Sequence, residues 1–281
     1  MSITASDVMS LRDRTGAGMM DCKKALQESG GDVEKAEDLL RIKGMKSADK
    51  KAGRETGEGR VLTVLADDGR SGAMVAVRCE TDFAAGTEDF QGLLNALCDH
   101  VASQKPNSVE DMLEQPWQGS GVSVDRAIKE ATGKLGENMQ LAGIAYLETG
   151  EGQVGTYIHH NRKVGVLVSV TTPASQGDAA EHLKSLGMHI AFTNPPALTR
   201  DEVAADEVER EVGIYREEIK DKPEEIQEKI IQGKLDKFYS TQALVEQPWV
   251  KDDTLSVARA MEALLGEGSQ VAAFARFAIG E

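Results

Sequence analysis

One stretch of this chain repeats itself, and an internal repeat constrains a fold more than any single motif does. At an offset of 93 residues, Gly59 matches Gly152, Val61 matches Val154, Thr63 matches Thr156 and Gly72 matches Gly165, with Val75 and Val77 matching Val168 and Val170 in the same frame. Past a loop shorter by four, Leu94, Leu97, His100, Val101, Ala102 and Pro106 match Leu183, Leu186, His189, Ile190, Ala191 and Pro195. Each copy reads as a strand, a turn (Asp67-Asp68-Gly69 or His160-Asn161-Arg162), a second strand and an amphipathic helix. Alternation such as Val61, Thr63, Leu65 gives each antiparallel sheet one face to lay on helices. The expected core is therefore α+β and built twice, over 55–147 and over 148–198 with 240–281. Duplicated cores of this kind more often carry binding surfaces than a single catalytic cleft.

A charged stretch interrupts the second copy. Thr199 to Lys220 and Glu224 to Tyr239 flank Asp221-Lys222-Pro223, and Val208, Val212, Tyr215 and Ile219 recur at helical spacing, as do Ile231, Leu235 and Phe238. That seam predicts an inserted antiparallel coiled coil over 199–239, too short to fold alone. Residues 254–281 then return to an amphipathic helix and an apolar strand, Val271 to Ile279, completing the second half.

Ahead of the repeat, three short helices are expected at Thr4–Arg14, Met20–Glu28 and Asp32–Ile42. Gly30-Gly31 stops the second and Asp32 caps the third, whose Val33, Ala36, Leu39 and Leu40 form an apolar stripe. Such a unit resembles ubiquitin-associated domains, which are binding modules. Arg41 to Arg54 carries six basic residues against Asp49 alone, which predicts a solvated linker; the other reading is an arm that touches an acidic partner. Residues 1–54 are thus expected to be a helical docking domain with a basic linker.

Composition narrows the function classes. A net charge of −15 makes nucleic acid a poor main ligand. No apolar run approaches the ~20 residues of a membrane span, and no charged-then-apolar leader opens the chain. Three cysteines without a CxxC pair argue against a disulfide framework and a zinc site. The expected location is the cytoplasm.

Catalytic signatures are missing where they would have to be. No GxxxxGK[ST] run is present, and Gly133-Lys134 lacks both the upstream glycine and the following hydroxyl. Gly150-x-Gly152-x-x-Gly155 does spell GxGxxG, but it precedes a strand, and Glu151 would repel a pyrophosphate. An oxidoreductase reading would need that run to bind a dinucleotide. His159-His160 lies near a turn, and adjacent strand residues point to opposite faces, which argues against metal. No nucleophile and base stand together. The expectation is a protein with no enzymatic activity, no cofactor, no metal and no nucleotide site of its own.

Two motifs remain. In Leu11-Arg12-Asp13-Arg14-Thr15-Gly16-Ala17-Gly18-Met19-Met20-Asp21-Cys22-Lys23-Lys24-Ala25-Leu26, two glycines break one helix before another starts. Adjacent helical positions diverge by about 100°, so one of Met19 and Met20 points inward and the other out. An exposed thioether beside Arg12, Lys23 and Lys24 suits protein docking. Thr81-Asp82-Phe83-Ala84-Ala85-Gly86 directly follows a strand, and the second copy has Thr171-Thr172-Pro173-Ala174 instead. Residue chemistry alone favours Asp82 as a helix cap and Phe83 as a buried staple.

The first of these runs strongly resembles the N-terminal signature of the elongation factor Ts family, the guanine-nucleotide exchange factors of the translation GTPase EF-Tu. Cys79-Glu80-Thr81-Asp82-Phe83 resembles its second signature, and the order of helical domain, basic linker, duplicated core and inserted coiled coil is similar over nearly the whole chain. The resemblance implies that Thr81, Asp82, Phe83 and Ala84 push against EF-Tu near its Mg²⁺ site, with the Phe83 ring as wedge. It implies docking by Arg12, Met19, Met20 and Lys23. Lys134-Leu135-Gly136-Glu137-Asn138 resembles a second contact loop, with Leu135 and Gly136 in contact, and Tyr157-Ile158-His159 a contact strand presenting His159. The implied function is exchange of GDP for GTP on EF-Tu; the alternative is a ubiquitin-associated-type adaptor without exchange activity. Val77-Arg78 departs from the family, which has an acidic residue, an aliphatic one and Asn there. Several relatives continue past the position of Gly280-Glu281 into a helix that touches the GTPase, a contact not carried over. Self-association through the coiled coil is left open.

Overall fold

Short polar side chains start most of the helices. Thr4 accepts the Asp7 N–H while the Asp7 carboxylate accepts the Thr4 N–H, so a capping box opens α1 (Ala5–Thr15). Gly16 closes that helix at φ 67°, α2 (Met19–Glu28) follows, and Asp32 caps α3 (Val33–Lys51). Val8, Leu11, Cys22, Leu26 and Ala36 form a small core between the three.

The computed structural model describes residues 3–281. Packing divides the chain into two units: Met1–Leu62, Met74–Ile144 and Ala278–Glu281 in one, Thr63–Ala73 and Ala145–Phe277 in the other. After α3 come β1 (Glu58–Leu65), β2 (Ser71–Cys79), α4 (Asp82–Ala85), α5 (Glu88–Gln104), α6 (Val109–Glu114), α7 (Val124–Leu135) and β3 (Met139–Glu148), with sheet order β1-β2-β3. Helix α5 buries Phe90, Leu94, Leu97 and Val101.

The basic stretch expected as a linker is helix. Helix α3 does not end at Ile42 but runs to Lys51, because its far half has a partner in α7. The two cross at glycines: a Cβ on Gly133 would lie 2.7 Å from the Gly44 Cα. Arg41 faces Glu130 at 3.8 Å and Asp49 faces Lys129 at 3.8 Å, while Ala48 is buried. The charge run is thus one face of a packed helix.

The second unit continues with β4 (Gln153–Ile158), β5 (Val164–Thr171), α8 (Gln176–Thr193), α9 (Ala205–Glu218), α10 (Glu224–Gln242), β6 (Pro248–Trp249), β7 (Asp252–Ser256), α11 (Val257–Leu265) and β8 (Gln270–Ala278). Strands β4 and β5 pair antiparallel with Gly155 opposite Val168, and the sheet order is β4-β5-β8. Val166, Val168, Leu183, Leu186, Met261 and Leu265 fill its core. Just past α9 Ile219 is buried, and in the inserted helices Lys234 pairs with Glu218 and stands over the Tyr215 ring at 5.0 Å.

The fold is α+β, and the repeat reaches into its fine structure. Gly59 and Gly152 adopt φ 143° and 148°, and a Cβ there would fall 2.1 Å from the Val77 carbonyl oxygen and 2.0 Å from that of Val170. Lys105 and Asn194 end α5 and α8 in the left-handed conformation. A relation not read from the sequence is Gln115-Pro116-Trp117 against Gln247-Pro248-Trp249. His100 Nε2 bonds Gln115 Oε1 at 2.9 Å, and His189 Nε2 bonds Gln247 Oε1 at 2.9 Å. Each imidazole also lies by its tryptophan, with ring centroids 5.8 Å and 5.3 Å apart.

Candidate functional site

Strand β2 ends at the buried Cys79, and the next four residues make a short braced tip. Thr81, not Asp82, is the cap of α4: its hydroxyl oxygen accepts the Ala84 N–H at 3.2 Å. Ala84 and Ala85 turn inward and are buried, so small side chains fill the space a phenylalanine staple would have taken. Phe83 is left 84% exposed, and the expectation of a buried ring is overturned. Asp82 is exposed beside it.

Glu137, just past the end of α7, holds this tip. Its carboxylate accepts the Thr81 N–H at 3.0 Å and the Thr81 O–H at 2.8 Å. In the opposite sense, Glu80 accepts the Asn138 N–H at 2.6 Å and pairs with Arg54 at 3.3 Å. The Asn138 amide in turn donates to the Arg54 carbonyl at 2.9 Å. Beneath them the Cys79 S–H donates to the Thr81 carbonyl. Burial first, and then the Glu137 charge, push that thiol up to about 11, so it stays protonated and inert near neutral pH.

The N-terminal run reaches the same neighbourhood. Gly16 lies against the Lys134 stem, where a Cβ would fall 2.0 Å from Cε, and Lys134 Nζ bonds Asp89 of α5 at 2.6 Å. Gly136 ends α7 at φ 82°, with Leu135 half-buried before it. Arg12 and Lys23 are exposed. Met19 is 42% and Met20 63% exposed, so neither enters the core as one of them was expected to. Leu11, Cys22 and Leu26 already fill it, and the first turn of α2 stands at its edge.

One unit thus carries Arg12, Met19, Met20, Lys23, Thr81, Asp82, Phe83, Ala84, Leu135 and Gly136; His159 belongs to the other. His159 Nδ1 bonds the Tyr157 hydroxyl at 2.8 Å, and its ring stands 4.2 Å from that of His160. The two imidazoles therefore do not point to opposite faces: β4 ends at Ile158, and both histidines lie beyond it, where strand alternation no longer applies. Two of the GxGxxG glycines serve the sheet, Gly152 against the Val170 carbonyl and Gly155 within β4 against Leu183. Sequence reasoning did not assign the bracing roles of Glu80, Glu137 and Arg54. Glu80 and Glu137 stand within the two family-like segments, but nothing in the sequence pairs those segments with each other or with Arg54.

Among the described residues, no three His, Cys, Asp or Glu side chains are grouped to hold a metal ion, and no helix is long and apolar enough to cross a membrane. An exposed aromatic on a polar brace, in the same unit as two exposed methionines, is apolar surface of the kind that a protein partner covers. A profile described as Elongation factor TS matches residues 80–281. Over 291 residues the chain is 40% identical to Elongation factor Ts of Trichlorobacter lovleyi, covering 100% of this chain and 94% of that one. Identity is 42% to Elongation factor Ts of Bartonella bacilliformis at the same coverage, and 36% to that of Aquifex aeolicus, covering 100% of this chain and 99% of that one. The chain belongs to the elongation factor Ts family. It is a non-enzymatic guanine-nucleotide exchange factor, and its protein partner is EF-Tu.

Proposed function

We propose that Phe83 is the wedge of nucleotide exchange, entering beside the Mg²⁺ site of EF-Tu with Thr81, Asp82 and Ala84 as its mount. Arg12, Met19, Met20, Lys23, Leu135, Gly136 and His159 are the docking contacts in this reading. Residues 1–54 act as a docking domain of ubiquitin-associated type, 55–147 and 148–198 with 240–281 as the two half-cores, and 199–239 as a coiled coil. The protein works in the cytoplasm, alongside translation.

The observation that carries the proposal is the 84% exposure of Phe83 on a tip whose neighbours are fixed by hydrogen bonds. Leaving an aromatic ring in water forgoes about 1.5–3 kcal/mol of burial, which a partner surface restores. The mechanism follows from linkage. A factor that binds nucleotide-free EF-Tu better than the nucleotide-bound form weakens nucleotide affinity by the same ratio. Displacing Mg²⁺ removes the cation that offsets phosphate charge, so the anionic nucleotide loses stabilisation. Direction comes from the excess of GTP over GDP and not from the factor.

Stopped-flow release of fluorescent GDP from EF-Tu, titrated to saturation, tests this. Phe83→Ala lowers the plateau rate by about tenfold or more while half-saturation shifts less, because only contacts that distinguish the two partner states change nucleotide affinity. If the variant reaches the wild-type plateau and merely needs more protein to get there, Phe83 is adhesive and the wedge mechanism fails.

A further inference from the structure

The brace under Phe83 is more elaborate than chain closure requires, and the second half-core shows how much closure does require. There, the segment leaving β5 meets the segment entering β8 through neutral hydroxyls. Thr172 Oγ1 accepts the Ser269 O–H at 3.0 Å and donates to the Leu265 carbonyl at 2.9 Å. Pro173 and Ala174 follow, with neither a carboxylate nor an aromatic ring. In the first half the same junction brings two carboxylates together crosswise: Glu137 holds Thr81 and Glu80 holds the Asn138 N–H. Placing two like charges at one junction has a cost that a hydroxyl pair avoids. The costlier arrangement occurs in the half that carries Phe83 and is missing from the half that lacks it.

We infer that Glu137 is a positioning residue for exchange, clamping Thr81 so that Phe83 projects in one fixed direction. The inference rests on the wedge reading above. Helix α4 spans only four residues, and a single turn has almost no stability of its own. Its orientation must come from outside it. Glu137 supplies that from a rigid place, one residue past the Gly136 cap of α7, and satisfies both donors of the residue that caps α4. Bonds to a charged acceptor are the stronger kind, and two bonds on one residue fix direction as well as distance. Arg54 offsets the charge of Glu80, and the Cys79 thiol adds a donor without adding charge. Loss of the clasp leaves the ring present and exposed but able to point elsewhere, and a wedge that points elsewhere docks without displacing anything.

The test compares Glu137→Ala, Phe83→Ala and the double variant in the full chain. Three readouts apply: thermal melting, amide hydrogen exchange over residues 80–86 in the free protein, and GDP release from EF-Tu titrated to plateau. Glu137→Ala speeds exchange of the Thr81 and Ala84 amides and lowers the plateau rate about tenfold, the size expected for losing charge-assisted bonds. Its half-saturating concentration stays within about twofold, because a lost preorganisation reads in the plateau and not in docking. Phe83→Ala lowers the plateau and leaves amide exchange unchanged, and the double variant releases GDP no more slowly than Phe83→Ala alone. If Glu137→Ala keeps the wild-type plateau while Phe83→Ala loses it, the positioning role is overturned and the wedge stands. If Phe83→Ala keeps the plateau, the wedge reading fails and takes the role of Glu137 with it. Should Glu137→Ala melt too low for assay, the isosteric Glu137→Gln, which keeps one acceptor, gives the same comparison with a smaller loss; unchanged amide exchange in it overturns the clasp.

Discussion

Where β2 leaves its sheet the chain reads Cys79-Glu80-Thr81-Asp82-Phe83; where β5 leaves the other it reads Thr172-Pro173-Ala174-Ser175. Up to those junctions the halves agree closely. A glycine at positive φ sits against a strand carbonyl in each, and a histidine holds a glutamine and lies by a tryptophan in each. Past them, one half projects an exposed ring on a carboxylate brace, and the other turns directly into the cap of α8 at Ser175. The two halves share the devices that close the backbone and differ at their exits. Function is therefore to be sought at the departure from the repeat.

The comparison breaks first at its glycines. Gly59→Ala and Gly152→Ala each place a methyl about 2 Å from a carbonyl oxygen, and each is expected to cost about 3 kcal/mol or more. Trp117 and Trp249 report one unit each, so denaturant melts of single-tryptophan variants read the two losses separately; losses differing by more than about 1.5 kcal/mol would show that the halves do not share this device. A smaller effect separates exposed apolar side chains. Met20→Ala raises the half-saturating concentration for GDP release about thirtyfold, the equivalent of ~2 kcal/mol, with an unchanged plateau and an unchanged melt. Phe192, 83% exposed on α8, looks from the surface like a second Phe83. Phe192→Ala leaves the plateau unchanged, and a drop matching that of Phe83→Ala would end the claimed asymmetry.

The smallest effect is in pH. Burial lowers the pKa of His189, against the bond to Gln247 that raises it. Its Nδ1 accepts the Val250 N–H at 3.3 Å, which needs the neutral ring. Above the ordinary value of 6.5 both folded and unfolded forms are neutral there and stability does not change with pH through this group. As pH falls below 6.5 the unfolded chain takes up the proton first, so stability declines towards the lowered folded value, by at most ~1.4 kcal/mol per pH unit. His189→Gln removes that part of the slope; an unchanged slope in Trp249-detected melts would rule this group out as its source.

Much of the fold was legible because it was written twice. Gly59 with Gly152 and His100 with His189 set the frame without any appeal to structure. The Gln-Pro-Trp triplets stand in the same sequence but 132 residues apart, pushed out of the frame by α9 and α10, and only the histidines they bind bring them into register. Charge composition misled at Arg41–Arg54, since a count of lysines does not show that Gly44 and Ala48 share a face that α7 covers. Phe83 could not be placed by its own chemistry, which favours burial; Ala84 and Ala85 decide the matter by taking the inner face. Thr81 and Glu137 are 56 residues apart, and no spacing rule links them. Family resemblance did bring the two segments to notice, but as two contact points and not as one assembly.

The crossing of α3 and α7 has a consequence for helix register. Helix α3 has 19 residues and so spans about 28 Å. It packs with α1 and α2 and touches α7 backbone to backbone, with no side chain between Gly44 and Gly133 to act as a cushion. Asp21, next to Met20, bonds Lys43 beside that crossing at 2.5 Å, and Gly16 lies against the Lys134 stem of α7. One residue inserted ahead of Gly44 would shift the part of α3 before it by 1.5 Å and turn it by about 100° relative to the face on α7.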